Sequence, residues 1–215
     1  MRSALVLCNG EPPTRALVRW CARTADRIVA ADGGANSARS FGITPHIIIG
    51  DLDSMTQATR HHFRDVLTLH VARQDNTDLE KALDYLASQH VQEVTILGAT
   101  GKRIDFTLGN FAALWNYSAF MEIRLAGDGW FAMPVGRKKA IAAPTGTTVS
   151  LIPFGSCDGI TLRGLEFPLT NASMRVGETG VSNVVRRSPF IVRVRRGAML
   201  LVVLQDLTER SGRRQ

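Results

Sequence analysis

The sequence predicts an α/β fold: an N-terminal, mainly parallel sheet with flanking helices, followed by a smaller C-terminal antiparallel β-sandwich domain. Three observations carry the prediction. Short runs rich in Val, Ile and Leu alternate with helix-length stretches through the first 126 residues. The clearest of those stretches has apolar residues at a helical period. Beyond Gly127 that period disappears, and glycines and prolines punctuate short alternating runs. Strand and helix in alternation cover a parallel sheet with helices, whereas short strands between frequent turns build sandwiches and barrels. The boundary falls near residues 127–140, giving domains over 1–130 and 131–215.

Taken in order, the predicted strands of the first domain are 4–7, 28–31, 47–50, 66–69, 94–97 and 123–126. The clearest helix is 77–88, where Leu79, Ala82, Leu83 and Leu86 repeat at i, i+3, i+4 and i+7. Thr77-Asp78-Leu79-Glu80 fits a capping box, in which the Thr and Glu side chains each satisfy a backbone N–H of the first turn. In the second domain the best strand pair is 190–195 with 199–204, joined across Arg196-Gly197-Ala198. Along the first of these, Phe190, Val192 and Val194 face inward while Ile191, Arg193 and Arg195 face out.

Composition narrows the class. At 215 residues, with 45% hydrophobic and 21% charged residues, the chain is globular and of a size for one large or two small domains. Its apolar runs, such as 198–204, fall short of the roughly 20 residues that a membrane-spanning helix needs. The apolar run before Asn9-Gly10 is too short for a signal peptide, whose apolar stretch has about 7 to 15 residues, so a cytoplasmic protein is expected. Cys8, Cys21 and Cys157 form no C-x-x-C pair, and the histidines form no H-E-x-x-H. A structural zinc site and a disulfide framework are thereby disfavoured, and the cysteines are expected to be reduced, buried and inert. Of the net charge of +7, a balance of +6 lies from Arg186 onward. No aromatic residues interleave with the terminal arginines as a stacking platform requires, so a solvated face and tail are expected, with no nucleic-acid partner and no membrane.

In a parallel sheet, ligands collect beyond the carboxyl ends of the strands. Those ends carry Asp32-Gly33-Gly34-Ala35-Asn36, Gly50-Asp51-Leu52-Asp53-Ser54, Gln74-Asp75-Asn76-Thr77-Asp78 and Gly98-Ala99-Thr100-Gly101-Lys102-Arg103-Ile104-Asp105. Of 12 aspartates in the chain, six fall in these four loops, so carboxylates are concentrated at one edge of the sheet. Each loop alone also reads as a helix cap or a local turn. Together they read as a site, because converging carboxylates repel unless a cation neutralises them, and short carboxylate arms suit Mg²⁺ shared with substrate phosphates. Gly98 to Gly101 can present backbone N–H groups to an anion, with Lys102 and Arg103 as cations for phosphates. The loop is not a Walker A motif, since two residues rather than four separate Gly98 from Gly101-Lys102. Asp32-Gly33-Gly34 lacks the G-x-G-x-x-G spacing, which disfavours nicotinamide and flavin chemistry. The residues therefore point to Mg²⁺-dependent phosphoryl or pyrophosphoryl transfer from a nucleotide and leave the acceptor open.

At these residues the chain resembles the thiamine diphosphokinase (thiamine pyrophosphokinase) family. The four loops, Leu108-Gly109-Asn110, Val149-Ser150-Leu151-Ile152-Pro153 and Gly180-Val181-Ser182-Asn183 carry the resemblance, in order, from residue 31 to 183. It implies ATP as co-substrate and thiamine as acceptor, with thiamine diphosphate and AMP as products. It also implies a homodimer whose active sites lie between the α/β domain of one subunit and the sandwich of the other. On the family pattern Asp51, Asp53 and Asp78 hold Mg²⁺ and, with Arg103, are catalytic. Asp32, Gly33, Gly34, Asn36, Gly98, Thr100, Gly101, Lys102 and Arg103 are assigned to ATP. Asp75, Asp105, Ser182 and Asn183 are assigned to the substrate side. Phe106 stands where many relatives carry His, and Trp130 and Phe190 are the candidates for an aromatic face against the thiazolium cation. The rival readings are a pyrophosphokinase acting on another small alcohol such as a hydroxymethylpterin, and a basic nucleic-acid-binding protein.

Overall fold

A computed structural model describes residues 2–72, 75–178 and 180–208; Gln74 of the acidic motif and Arg210, Arg213 and Arg214 of the basic tail lie outside the described residues. The chain divides into two compact units, Met1–Asp128 and Gly129–Gln215.

The first unit runs β1 (Ser3–Leu7), α1 (Arg15–Thr24), β2 (Arg27–Ala31), α2 (Gly34–Phe41), β3 (Ile47–Gly50), α3 (Gln57–His62), β4 (Leu67–His70), α4 (Asp78–Ser88), β5 (Glu93–Leu97), α5 (Ile104–Tyr117) and β6 (Glu122–Gly127). Its strands lie in the order β6-β5-β1-β2-β3-β4, and every pairing among them is parallel. Central strands of such a sheet are covered on both faces and so read as continuous apolar runs; Ile47, Ile48 and Ile49 are all buried. At the edge, β4 is exposed at every residue. It begins one residue later than its apolar run predicts, because the Val66 N–H donates to the Phe63 carbonyl at 2.9 Å and so still belongs to the turn after α3. The predicted capping box is complete: the Glu80 N–H donates to Thr77 Oγ1 at 3.3 Å, and the Thr77 N–H donates to Glu80 Oε2 at 2.8 Å.

The strand order reverses at β1, with β2, β3 and β4 on one side and β5 and β6 on the other. Loops leaving β1 and β5 therefore flank a topological switch point, where α/β sheets open a crevice. Backbone bonds join the two loops, from the Gly10 N–H to the Gly98 carbonyl at 2.6 Å and from the Glu11 N–H to the Thr100 carbonyl at 2.7 Å. Gly98 adopts φ 67°, and a Cβ there would lie 2.8 Å from the Cys8 carbonyl oxygen, so only glycine permits this approach.

The second unit holds β7 (Trp130–Val135), β8 (Lys138–Ile141), β9 (Thr148–Pro153), β10 (Cys157–Arg163), β11 (Leu169–Met174), β12 (Asn183–Val184), β13 (Phe190–Arg193) and β14 (Met199–Leu204). Its strands fall into two groups of four, β12-β9-β14-β7 and β11-β10-β13-β8, with every pair antiparallel. The predicted alternation from Phe190 to Arg195 holds, with Phe190, Val192 and Val194 buried and Arg193 and Arg195 exposed, although the strand ends at Arg193 rather than at 195.

The predicted hairpin does not form. β13 pairs with β10 and β8, while β14 pairs with β7 and β9. Between them the chain turns a corner at Arg196-Gly197-Ala198. The Arg195 and Arg196 N–H groups donate to the Asp158 carbonyl, and Gly197, at φ 104°, fits where a Cβ would stand 2.3 Å from the Ser156 carbonyl oxygen.

Cys8, Cys21 and Cys157 are buried and none of the three is in a disulfide. No helix among the described residues is long and apolar enough to cross a membrane.

Candidate active site

Asp32 follows β2 at φ 42° and is only 2% exposed. Its N–H donates to the Ile49 carbonyl at 2.8 Å, which fixes the turn against β3. Oδ2 accepts from the Ser54 N–H at 3.2 Å, whereas Oδ1 is buried and meets no donor. Burial pushes the Asp32 carboxyl above its ordinary range, opposed by hydrogen bonds from Ser54 and Gly33 and reinforced by the charge of Asp78. Carboxylate oxygens of Asp32, Asp51 and Asp78 lie within 4.8 Å of one another. Their convergence depends on Gly50, where a Cβ would stand 2.7 Å from the Asp32 Cβ and 3.1 Å from Asp78 Oδ1. An orphaned buried carboxylate oxygen beside two further carboxylates is a donor set for a hard divalent cation, and the residues fit Mg²⁺.

The trio differs from the expected metal set of Asp51, Asp53 and Asp78: Asp32 joins it, and Asp53 lies outside. The Asp53 side chain is exposed and accepts from Ser54 Oγ at 2.9 Å, while its N–H donates to Asp51 Oδ1 at 3.3 Å. Two residues along one loop, the Asp51 and Asp53 carboxylates thus have separate surroundings.

Beside the trio a cleft of about 290 Å³ opens at the switch point. Asp32 and Asp78 line it together with Gly98, Gly101, Lys102 and Arg103 of the β5 loop. Gly101 and Lys102 both adopt left-handed backbone, at φ 77° and 52°, and Lys102 Nζ donates to the Asn9 carbonyl at 2.8 Å. Arg103 occupies the N-cap of α5 without a side-chain cap, and the Asp105 carboxylate accepts from backbone N–H groups of the first turn, that of Phe106 among them. The guanidinium meets the Asp105 carboxylate through two nitrogens, Nε at 3.1 Å and Nη2, and its Cζ lies 4.3 Å from the centroid of the Phe106 ring. That pairing holds the Asp105 carboxyl below the usual carboxylate range. Both side chains are largely exposed, so the pair fixes a direction at the cleft more than it adds stability.

Other expected site residues have structural partners. Gly33 and Gly34 do not line the cleft; a Cβ would meet Asn9 Nδ2 at 2.3 Å from Gly33 and the Leu7 carbonyl oxygen at 1.9 Å from Gly34, so Gly33 leaves room for the Asn9 side chain and Gly34 lets α2 seat against β1. Asn36 braces the acidic loop: its Nδ2 donates to the Ser54 carbonyl at 2.8 Å and its Oδ1 accepts from the Thr56 N–H at 3.1 Å. Thr100 accepts the Glu11 N–H, and Asp75 is exposed in the bend before α4. In the second unit, the Ser182 N–H donates to Ser150 Oγ at 3.1 Å. Asn183 is buried and clamps Phe167, accepting from its N–H at 3.0 Å and donating to its carbonyl at 2.8 Å. Its side chain is thus committed to backbone of its own domain. Phe190 is fully buried in the core, and Trp130 is half-buried.

Comparison with known proteins bears on what such a cleft is for. The family model described as thiamin pyrophosphokinase, catalytic domain, matches residues 19–125, and the model described as thiamin pyrophosphokinase, vitamin B1 binding domain, matches residues 137–199. The chain belongs to the thiamine pyrophosphokinase family. A thiamine pyrophosphokinase of Bacillus subtilis (strain 168) is 29% identical over 186 residues, spanning 83% of this chain and 87% of the relative. Thiamine pyrophosphokinase 1 of Oryza sativa subsp. japonica is 28% identical over 212 residues, spanning 85% and 80%. A crystal structure of the Bacillus subtilis thiamine pyrophosphokinase matches with a TM-score of 0.84 at 25% identity, covering 96% of this chain and all of that one. The Candida albicans thiamin pyrophosphokinase, at 16% identity, shares the fold with a TM-score of 0.86 over 95% of this chain and 89% of that one.

Asn9, Gly10 and Lys81 escape a reading of sequence motifs. Asn9 and Gly10 line the cleft from the β1 loop, and their signal is topological: β1 stands at the switch point, so its carboxyl end faces the crevice. Asn110, from the Leu108-Gly109-Asn110 motif that carries part of the family resemblance, also lines the cleft, and its buried Nδ2 donates to the Ala99 carbonyl at 2.7 Å, holding the glycine loop onto α5. The third is Lys81. Its Nζ lies 2.9 Å from Asp78 Oδ1 and 3.9 Å from Asp51 Oδ2, with the side chain 3% exposed.

Proposed function

We propose that this chain transfers the β,γ-pyrophosphoryl group of ATP to the hydroxyethyl oxygen of thiamine in a Mg²⁺-dependent reaction, giving thiamine diphosphate and AMP. The observation that carries the proposal is the meeting of three carboxylates from three separate loops beside a glycine-bounded, basic cleft. The vitamin B1 binding model over the second domain favours thiamine as the acceptor over another small alcohol.

In this reading the domain over 1–130 binds the nucleotide and carries out the transfer, and the domain over 131–215 binds thiamine and dimerises. Asp51 and Asp78, with Asp32, hold Mg²⁺, and Asp53 completes the acidic edge toward the substrates. When bound, the ion neutralises phosphate charge and orients the transferred group. Lys102 and Arg103 bind the phosphates, where preorganised donors meet the charge that develops on the bridging oxygen. A new bond forms between the thiamine oxygen and the β-phosphorus as the bond between that phosphorus and the α,β-bridging oxygen breaks. AMP leaves with the bridging oxygen, and the hydroxyl proton passes to solvent. Asp105 and Phe106 hold the Arg103 guanidinium in place through this step. The protein is proposed to be a cytoplasmic homodimer.

The test is AMP release from ATP with thiamine, or a hydroxymethylpterin, as acceptor. AMP formed with thiamine and Mg²⁺, and absent when either is omitted, is the expected result. AMP formed only with the pterin rejects the acceptor assignment.

A further inference from the structure

Lys81 lies one turn after Asp78 on α4, a spacing that brings i and i+3 side chains together. Its ammonium also approaches Asp51, which comes from the loop after β3. A single buried cation thus touches carboxylates from two elements that the chain brings together only on folding. Burying an ammonium group is costly unless it is paired, and an ordinary buried ion pair needs one carboxylate. Here three are gathered, and the third, Asp32, keeps an oxygen with no donor. Three carboxylates and one ammonium leave two net negative charges, which one divalent cation balances.

We propose that Lys81 is a built-in counter-cation: it assembles Asp78 and Asp51 before a divalent ion arrives, and it limits the acidic cluster to one such ion. The role rests on the metal reading above and makes Lys81 a positioning residue. Its charge opposes the incoming cation while its contacts hold two of the ligands. A neutral residue at 81 therefore leaves the metal-free cluster repelling itself and the metal-bound cluster nearly as favourable as before. Metal affinity must rise by the difference.

The experiment is a titration of the nucleotide-free protein with Mn²⁺, following free Mn²⁺ by electron paramagnetic resonance and thermal unfolding in parallel. Wild type is expected to bind one Mn²⁺ per chain. Lys81→Gln, which keeps a hydrogen-bond donor for Asp78 without the charge, is expected to bind Mn²⁺ about tenfold tighter and to gain more thermal stability from it, since charges this close interact strongly at the low effective dielectric of a partly buried site. Lys81→Arg, which keeps the charge, is expected to stay within about threefold of wild type on the same grounds. Binding by Lys81→Gln that is unchanged or weaker, or equal loss of stability with and without Mn²⁺, overturns the proposal and leaves a plain structural tether. If Lys81→Gln does not fold, wild type and Lys81→Arg decide: one Mn²⁺ per chain in both sustains the charge limit, and two sites of similar affinity overturn it. Wild type that binds no Mn²⁺ refutes the metal reading itself, which separates that failure from a failure of Lys81 alone.

Discussion

A buried carboxylate oxygen without a donor, such as Asp32 Oδ1, is costly to keep unless something positive comes to meet it. Asp51 shares that cluster and Asp53 does not, so their substitutions should differ. Asp51→Asn should weaken Mn²⁺ binding to the nucleotide-free protein and lower turnover by at least about 100-fold, as loss of a charge-stabilising group does. Asp53→Asn should lose turnover on a similar scale of about 100-fold while leaving nucleotide-free Mn²⁺ binding nearly unchanged, because its charge is required only once the substrates are present. Manganese titration beside an AMP-release assay checks both. Cys8 offers another residue-level test. It borders the cleft, and burial, with a contribution from Asp78, pushes its thiol up to about 12. Since the thiolate is the nucleophile, iodoacetamide at neutral pH should leave Cys8 unlabelled in the native protein and label it after unfolding; mass spectrometry reads the result. Asp26 tests linkage. The Arg2 and Ser3 N–H groups donate to its Oδ2, both at 2.9 Å, and hold the carboxyl below its ordinary range. A group with a depressed folded pKa contributes stability above its unfolded value and loses it as pH falls through the folded one. Asp26→Asn should therefore be less stable than wild type near neutral pH, and the gap should close as acid protonates the wild-type carboxyl. Denaturant titrations across that range measure it.

At the scale of elements, two glycines of similar appearance in the sequence should respond oppositely to alanine. Gly34 opens α2, and a Cβ there would lie 1.9 Å from the Leu7 carbonyl oxygen, a clash with backbone that cannot move without separating α2 from β1. Gly34→Ala should cost several kcal/mol, of order 3 or more, as overpacking against a fixed neighbour does. Gly109 lies within α5 with nothing within 4 Å of the same position. Gly109→Ala should stabilise the protein by about 1 kcal/mol, the difference in helix propensity, unless substrate approaches that face. Thermal unfolding measures both, and lost activity in a stabilised Gly109→Ala would place a substrate there. The start of α4 was legible because a capping box closes within four residues. The fate of β13 and β14 was not, since their partners lie far away in sequence and a short link fits a corner as well as a hairpin.

For the whole molecule, the proposed homodimer predicts sedimentation at twice the 23.5 kDa of one chain. A single species at 23.5 kDa across micromolar to millimolar concentrations would refute the dimer while leaving the acidic cluster and its chemistry in place. Net charge works at the same scale. At +7 the chain attracts a polyanionic nucleotide over several ångströms in dilute salt, an effect that salt screens. The steering says nothing about which residues touch the phosphates, which depends on the loops at the switch point.

The sequence by itself determined the strand and helix alternation, the capped start of α4 and the concentration of aspartates at the carboxyl ends of parallel strands, because each follows from local periodicity, local hydrogen bonding or a general rule of sheet topology. Tertiary structure alone decided which carboxylates meet. It drew Asp32 into the cluster through a left-handed turn and the space left by Gly50, gave Gly33, Gly34, Asn36 and Asn183 to packing and bracing, and buried Lys81. On the helical wheel Lys81 lies about 165° from the centre of the Leu79, Leu83 and Leu86 stripe, where a helix of this kind ordinarily faces water. The pattern of one helix shows only which side is apolar. Whether its polar side meets solvent or another element's carboxylates depends on what the rest of the chain places against it.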